Sequence, residues 1–260
     1  MFEAAIFGAF AQTALIVGAL LVWRFRNLTK PQTMGLIMAF GAGAVISAVG
    51  TDLVAVSYDE AGAGPTALGI GIGCLGYFFI VMLLEKRGKS DLPESPVVAA
   101  TEKGLHHQPV GASKREARNL FVGMIIDGIP ESVSIGLTVH LAAPGVSLAL
   151  VGAIFVAGLP EAIGVAAALL AGGMTISRIL ARFGAIVAIG AVFGLIGYAS
   201  LVGASPAVIA IIQSIAAGAL LVVVVNEMIP IAVRGAKHWA GPVAAAGFVF
   251  AAGMTWVTGG

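Results

Sequence analysis

The sequence predicts an all-α polytopic membrane protein, a single domain of residues 1–260 with eight transmembrane helices. Hydrophobic residues make up 59% of the chain and charged residues only 10%, whereas about a quarter of a soluble domain is charged. The mean hydropathy is +1.02. The apolar residues form long continuous runs rich in Ala, Gly and Leu, which favours helices over the short alternating strands of a membrane barrel. A net charge of +1 and one cysteine exclude a nucleic-acid binder and a disulfide-built secreted domain.

Each run approaches the roughly 20 residues that span a bilayer. The predicted helices 1 to 8 cover residues 4–23, 33–57, 65–84, 119–141, 145–171, 183–203, 206–231 and 240–258. Helix 1 follows Glu3 and precedes Arg24, the reverse of a secretory signal with its basic start, so we expect it to remain in the protein. The hydrophilic residues 85–118 predict a loop between helices 3 and 4. Its adjacent His106 and His107 are more typical of a solvated loop than of a metal site.

Basic residues predict the orientation. All 14 Lys and Arg lie in the segments that follow helices 1, 3, 5 and 7, which are on one side of the membrane if there are eight spans. The positive-inside rule then places these segments, including the loop 85–118, in the cytoplasm. We therefore expect a multi-pass protein of the cell (inner) membrane with both termini outside the cytoplasm.

Acidic residues inside the spans indicate ion translocation. Five of the 13 Asp and Glu residues fall there: Asp52, Asp127, Glu131, Glu161 and Glu227. An ionised carboxylate at the bilayer centre costs about 2.5–3.5 kcal/mol, and no Lys or Arg lies in a predicted span to pair with it. Protons, a water-filled pathway or a bound cation must compensate.

The spacing of these acids predicts a central site on helices 4 and 5. Asp127 and Glu131 are four residues apart and therefore share a helix face. The segment Gly-Ile-Pro-Glu at 128–131 is matched by Gly-Leu-Pro-Glu at 158–161, which ends in Glu161. Proline bends a helix and frees a backbone carbonyl, so we expect two bends that contribute oxygen ligands beside the carboxylates.

A second match predicts an inverted repeat. Ala-Gly-Ala at 42–44 precedes Asp52 as Ala-Gly-Ala at 217–219 precedes Glu227, with an offset of 175 residues (227 − 52). The copies lie in helices 2 and 7, whose numbers differ by five, so they cross the membrane in opposite senses, as in transporters built around a midplane site. We expect helices 1–3 and 6–8 to form the repeat, with Asp52 and Glu227 in the outer and inner halves of a pathway.

Together these residues resemble the ZIP (zinc and iron permease-like) family of divalent-metal transporters, as a divergent prokaryotic-type member. The resemblance rests on Asp-Gly-Ile-Pro-Glu-Ser at 127–132, Ala-Gly-Leu-Pro-Glu-Ala at 157–162 and Asn-Glu-Met-Ile-Pro at 226–230. It implies a metal site of Asp127, Glu131 and Glu161, with the pathway or secondary-site residues Asp52, Asn226, Glu227, Ser132 and Met124. The family's His and Asn positions hold Asp127, Gly128, Ala157 and Gly158 here, so a two-metal centre is not expected.

The sequence thus predicts a carrier of divalent metal ions, with uptake toward the cytoplasm. Zn, Mn and Fe remain open as the substrate, since a carboxylate site is not tuned for zinc but still binds it. Expected partners are the metal ion and the lipid bilayer, with no nucleic acid, and the many small helix residues permit a homodimer. Neither a metalloprotease His-Glu-x-x-His nor an aspartyl-protease Gly-x-Gly-Asp motif occurs, so an enzyme is not expected. The alternatives are a ZIP-like carrier with a changed substrate, a proton or an organic cation, and a non-transporting metal sensor.

Overall fold

The computed structural model describes residues 2–25, 30–87, 121, 124–125, 128–129, 131–137, 139, 148–200 and 204–258. Almost all of these residues are helical, and no strand occurs among them. The all-α prediction is therefore confirmed for the described part of the chain. The loop residues 88–118, with His106 and His107, lie outside it.

The first three helices are long, and a proline and a glycine mark the two ends of the second. Helix α1 spans Phe2–Arg24. Helix α2 runs as Pro31–Ala48, a π-helical segment Val49–Ala55, and Val56–Ala61. Pro31 suits its first turn because proline lacks only an N–H that would have no helical partner there. Gly62, at φ 76°, separates α2 from α3, Ala63–Arg87.

The described residues between 121 and 139 are helical and are called α4. Helix α5 spans Leu148–Ala171 and α6 spans Ile176–Ala199. Helix α7 consists of Pro206–Val223, a π-helical segment Val224–Met228, and Ile229–Ala236. A short 3₁₀ turn, Lys237–Trp239, leads into α8, Ala240–Thr258.

Membrane-length helices confirm the coarser part of the topology prediction. Within the described residues, five helical stretches are long and apolar enough to cross a bilayer: Phe2–Arg24, Gln32–Ala61, Ala63–Ile80, Ile176–Ala199 and Ala207–Trp256. The last covers 50 residues and includes both α7 and α8. The chain is therefore a membrane-embedded helical protein, while the count of eight spans is not established by these stretches.

The predicted start of helix 6 was wrong. Helix α6 begins at Ile176 rather than at 183, so Arg178 and Arg182 lie in its first turns instead of in a preceding loop. Both side chains are exposed, and the Arg182 guanidinium lies 4.9 Å from the centre of the Phe121 ring. Arginine tolerates this position because its stem packs on apolar surface while its charged end reaches a polar boundary.

The buried side chains form two apolar cores that share helices. One lies mainly between α1, α4, α5 and α6 and includes Leu15, Met124 and Phe183. The other extends from α2, α7 and α8 to parts of α1, α4 and α5 and includes Met38 and Leu220. Helix α1 packs on α5 and α6, α2 on α5, α7 and α8, and α3 on α7. The cavity described below is lined by residues of both cores.

Glycines allow α2 and α8, and also α3 and α7, to cross at backbone contact. A Cβ on Gly43 of α2 would collide with the carbonyl oxygen of Ala244 in α8, and a Cβ on Gly218 of α7 would collide with that of Ile70 in α3. Glycine is required at such crossings because any side chain would separate the two backbones. The colliding glycines are 175 residues apart (218 − 43), the offset of the sequence match.

The two π-helical segments are separated by the same number of residues as the matched glycines. They begin at Val49 and Val224, which are also 175 residues apart. The first contains Asp52 and the second contains Asn226 and Glu227. Pro230 accounts for the second, because its ring opposes the carbonyl of residue 226 and prevents a regular turn. Short π-helical segments inside α-helices occur frequently at functional sites.

Candidate functional site

A small internal cavity lies where α1, α4 and α5 meet. Its lining residues are mostly apolar or small, with two polar side chains among them: Ala11, Gln12, Ala14, Leu15, Met124, Gly128, Glu131, Ile154 and Gly158. The space open to the centre of a water molecule is about 10 Å³, which is close to the room that one water needs. The cavity is therefore of a size for one small polar guest.

Glu131 contributes a carboxylate to the lining of this cavity. Its side chain is half-buried in α4, and its Oε2 accepts a hydrogen bond of 3.2 Å from Nε2 of Gln12 in α1. Gln12 is only 5% exposed. A hydrogen bond to a charged group is worth about 1.5–3 kcal/mol, so the amide compensates part of the cost of placing this carboxylate among apolar helices.

Glycines of both matched segments admit the neighbouring helix α1. A Cβ on Gly128 would lie 3.1 Å from Nε2 and 3.3 Å from Oε1 of Gln12, so the carboxamide rests directly over this glycine. A Cβ on Gly158 of α5 would lie 3.2 Å from the Cβ of Ala14. The first residues of the two Gly-x-Pro-Glu segments therefore face the same cavity from two helices.

Ser132 and Met124 are both buried beside this site. The Ser132 side chain is 0% exposed, and its hydroxyl has no hydrogen-bond partner among the described residues. A buried hydroxyl without a partner costs about 1–3 kcal/mol and is a feature that needs explanation. Met124 lines the cavity itself and places a soft thioether there.

The structure gives little on the other two carboxylates of the predicted central site. Asp127 lies outside the described residues. Glu161 lies in α5, three residues after Gly158, but its side chain is not described. Among the side chains that the structure does describe, no group of three His, Cys, Asp or Glu could hold a metal ion. The three-carboxylate site of Asp127, Glu131 and Glu161 therefore stays a prediction.

The flanking acids lie in the two π-helical segments. Asp52 is 9% exposed and accepts a hydrogen bond of 3.2 Å from the Thr51 hydroxyl. One turn later, the Ser57 hydroxyl lies 3.5 Å from Oε1 of the buried Gln213 in α7. Asn226 is exposed, and the Glu227 side chain is not described. Asp52 thus lies in a segment of α2 that packs on α7, and it is not part of the lining of the central cavity.

Gln12 is the site residue that the sequence analysis missed. Its signal is present in the sequence, because Gln12 and Thr13 are the polar residues inside the otherwise apolar run 4–23. A carboxamide in a membrane helix commonly marks a polar contact with another helix. Reasoning restricted to charged residues could not find it.

The structure therefore defines a class: a helical membrane protein with a polar site buried between three helices. No family model and no curated protein matches the chain.

Proposed function

We propose that the chain is a divalent metal cation transporter with a ZIP-like layout of eight spans. The ion passes through a midplane carboxylate site on α4 and α5, in the direction of the cytoplasm. The observation that carries the proposal is the position of Glu131, which lines a water-sized cavity between apolar helices and is paired with a neutral amide. A bound cation would stabilise a carboxylate in this apolar environment more than the neutral amide does.

The convergence of the two matched segments supports a larger ligand set. Gly128 and Gly158 both line the cavity, and Asp127 and Glu161 are within one helical turn of these glycines along their own helices. Asp127, Glu131 and Glu161 would give three carboxylates around one ion. Oxygen ligands suit Mn²⁺ and Fe²⁺ and also accept Zn²⁺, so these three ions are the candidate substrates.

Equivalent glycine contacts support the inverted repeat. The crossing of α2 and α8 uses Gly43 and Gly247, and the crossing of α3 and α7 uses Gly218 and Gly73. In each pair both glycines meet a backbone carbonyl of the other helix. Asp52 and Glu227 lie in π-helical segments at the same offset, which supports equivalent roles for them as entry and exit residues of an alternating-access carrier.

The size of the cavity favours a metal ion over an organic cation. About 10 Å³ of free space holds one water-sized species, whereas an organic cation would need the helices to separate. Because the ligands are carboxylates, protons compete with the metal, and affinity falls as the pH is lowered. A proton carrier and a metal sensor are the alternatives that the experiment must separate.

The test is uptake of Mn²⁺, Fe²⁺ and Zn²⁺ into proteoliposomes containing the purified protein. We expect Glu131→Gln and Glu161→Gln each to abolish uptake and binding while the protein remains folded, since each keeps size and hydrogen bonding but removes charge. Asp52→Asn and Glu227→Gln should slow uptake and leave binding at the central site.

The matched control is Asp59→Asn, because Asp59 is an exposed acid in the same helix as Asp52. Uptake at the normal rate by both central variants would show that the site lies elsewhere. Metal binding without uptake in the native protein would favour the sensor, and proton flux without metal binding would favour the proton carrier.

A further inference from the structure

Gln12 has a chemical capacity that its hydrogen bond to Glu131 does not use. Its amide offers N–H donors on one side and a carbonyl oxygen on the other. In the structure the Nε2 side faces Glu131. An N–H group cannot ligate a cation, but Oε1 is a hard oxygen of the kind that Mn²⁺, Mg²⁺ and Ca²⁺ bind.

The surroundings of Gln12 hold its carboxamide at the cavity. The side chain is 5% exposed, and its Cγ would lie 2.7 Å from a Cβ on Gly190 of α6. Its amide would lie 3.1–3.3 Å from a Cβ on Gly128. Two glycines on different helices thus make the space that this side chain occupies. A side chain enclosed in this way loses little further freedom when it binds an ion.

Ser132 lies on the same side of the site. Its Oγ would be 3.2 Å from the same Cβ position on Gly190 that the Gln12 stem approaches. This hydroxyl is fully buried and has no hydrogen-bond partner among the described residues. The stem of Gln12 is therefore enclosed, while the terminal torsion of a glutamine amide is broad and allows the amide group to rotate. The Ser132 hydroxyl is a second buried oxygen close to this amide.

We propose that Gln12 is a ligand of the central cation site, contributed by α1, and that its amide rotates to present Oε1 when a divalent cation binds Glu131. Without a cation, Nε2 stabilises the carboxylate. With a cation, the positive charge repels the N–H groups and attracts the carbonyl dipole. The inference rests on the proposed function and adds to it a neutral, hard oxygen ligand from a third helix.

This ligand set determines which metals bind well. A carboxamide oxygen favours hard ions, whereas a thioether favours softer ones. Gln12→Met keeps the length and approximate volume of the side chain but replaces the hard oxygen with a soft sulfur. A residue that served only to pack the helices would affect all metals alike, so the ratio of affinities for two metals separates a ligand from a packing residue.

The experiment is calorimetric titration of the purified full-length protein with Mn²⁺ and, separately, with Zn²⁺. We expect Gln12→Met to weaken Mn²⁺ binding on the order of ten- to a hundredfold, the range seen when groups that support a metal site are removed. Zn²⁺ binding should weaken less. Gln12→Glu retains an oxygen ligand and should retain Mn²⁺ binding.

The matched control is Gln213→Met, since Gln213 is a glutamine as deeply buried, at 1% exposure, but lies in α7 and does not line the cavity. We expect it to leave both affinities unchanged. An equal loss for both metals, or tighter Mn²⁺ binding in Gln12→Met, would overturn the ligand role.

Glu131→Gln distinguishes this inference from the proposed function. If Glu131→Gln abolishes binding while Gln12→Met matches the native protein, the transporter proposal stands and the role of Gln12 is refuted. If the native protein binds neither metal, both are refuted. If Gln12→Met does not fold, Gln12→Glu decides, because loss of Mn²⁺ binding in this folded variant would contradict an oxygen ligand at position 12.

Discussion

The crossing of α3 and α7 should be intolerant of a single methyl group. A Cβ on Gly73 would collide with the backbone carbonyl oxygen of Ile215. Two residues earlier in the same helix, Gly71 is exposed, and a Cβ there meets no described atom within 4 Å. Gly73→Ala and Gly71→Ala therefore make the same chemical change in the same helix, and only one of them pushes two backbones apart.

The magnitude follows from two opposing effects. Replacing glycine with alanine inside a helix is worth roughly 0.5–1 kcal/mol of stabilisation, and this applies to both variants. Overpacking a well-packed contact costs about 1–3 kcal/mol, and this applies to Gly73→Ala alone. For a protein of this size, 1 kcal/mol corresponds to about 2–4 °C in Tm. We therefore expect Gly73→Ala to unfold roughly 2–12 °C below Gly71→Ala.

Thermal unfolding of the purified variants in detergent, followed by intrinsic fluorescence, measures this difference. Gly247→Ala should behave like Gly73→Ala, because its Cβ would collide with the Phe40 carbonyl oxygen at the equivalent crossing of α8 and α2. Gly253→Ala, where a Cβ meets no described atom within 4 Å, is its control in α8. Equal unfolding temperatures within each pair would refute backbone contact at these crossings.

Two further predictions concern topology and metal choice. In a Cys74→Ala background, an impermeant thiol reagent added outside should label Gly64→Cys and miss Gly104→Cys; the opposite pattern would contradict the predicted orientation. Position 64 is preferable to Gly62, whose φ of 76° disfavours a side chain. In uptake competition at equal free concentrations, Zn²⁺ should hold no large advantage over Mn²⁺ or Fe²⁺, because oxygen ligands dominate the proposed site; a strong preference for Zn²⁺ would require nitrogen or sulfur ligands.

Helix positions were predictable because hydrophobic run length is a physical requirement of the bilayer. The ends were less so, since α6 begins at Ile176 and carries Arg178 and Arg182 within its first turns. The length of a hydrophobic run excludes arginines because they are charged. An arginine can still belong to the helix, since its stem packs as apolar surface. The extension of α2 to Ala61, past the predicted end at 57, has a similar origin, because Tyr58, Asp59 and Glu60 are polar yet helical.

The candidate site was also predictable only in part. Glu131 was a candidate because an acid in an apolar span is costly, and it lines one cavity with Gly128 and Gly158 of the two matched segments. Its role as a metal ligand stays a prediction. Gln12 could not be placed, because the contact joins residues 119 positions apart and no periodicity in one helix specifies its partner in another. The π-helical segment Val49–Ala55 was also not predictable, because it contains no proline that would indicate an irregular turn.

The packing of α2 on α8 and of α3 on α7 constrains how the chain assembles. Helix α2 packs on α8, and α3 packs on α7, so each early helix has its partner near the other end of the chain. During synthesis α2 and α3 emerge before α7 and α8, so their glycine surfaces lack these partners until the later helices follow. The first half is therefore not an independent folding unit, and the final architecture forms only after the last helix has been inserted.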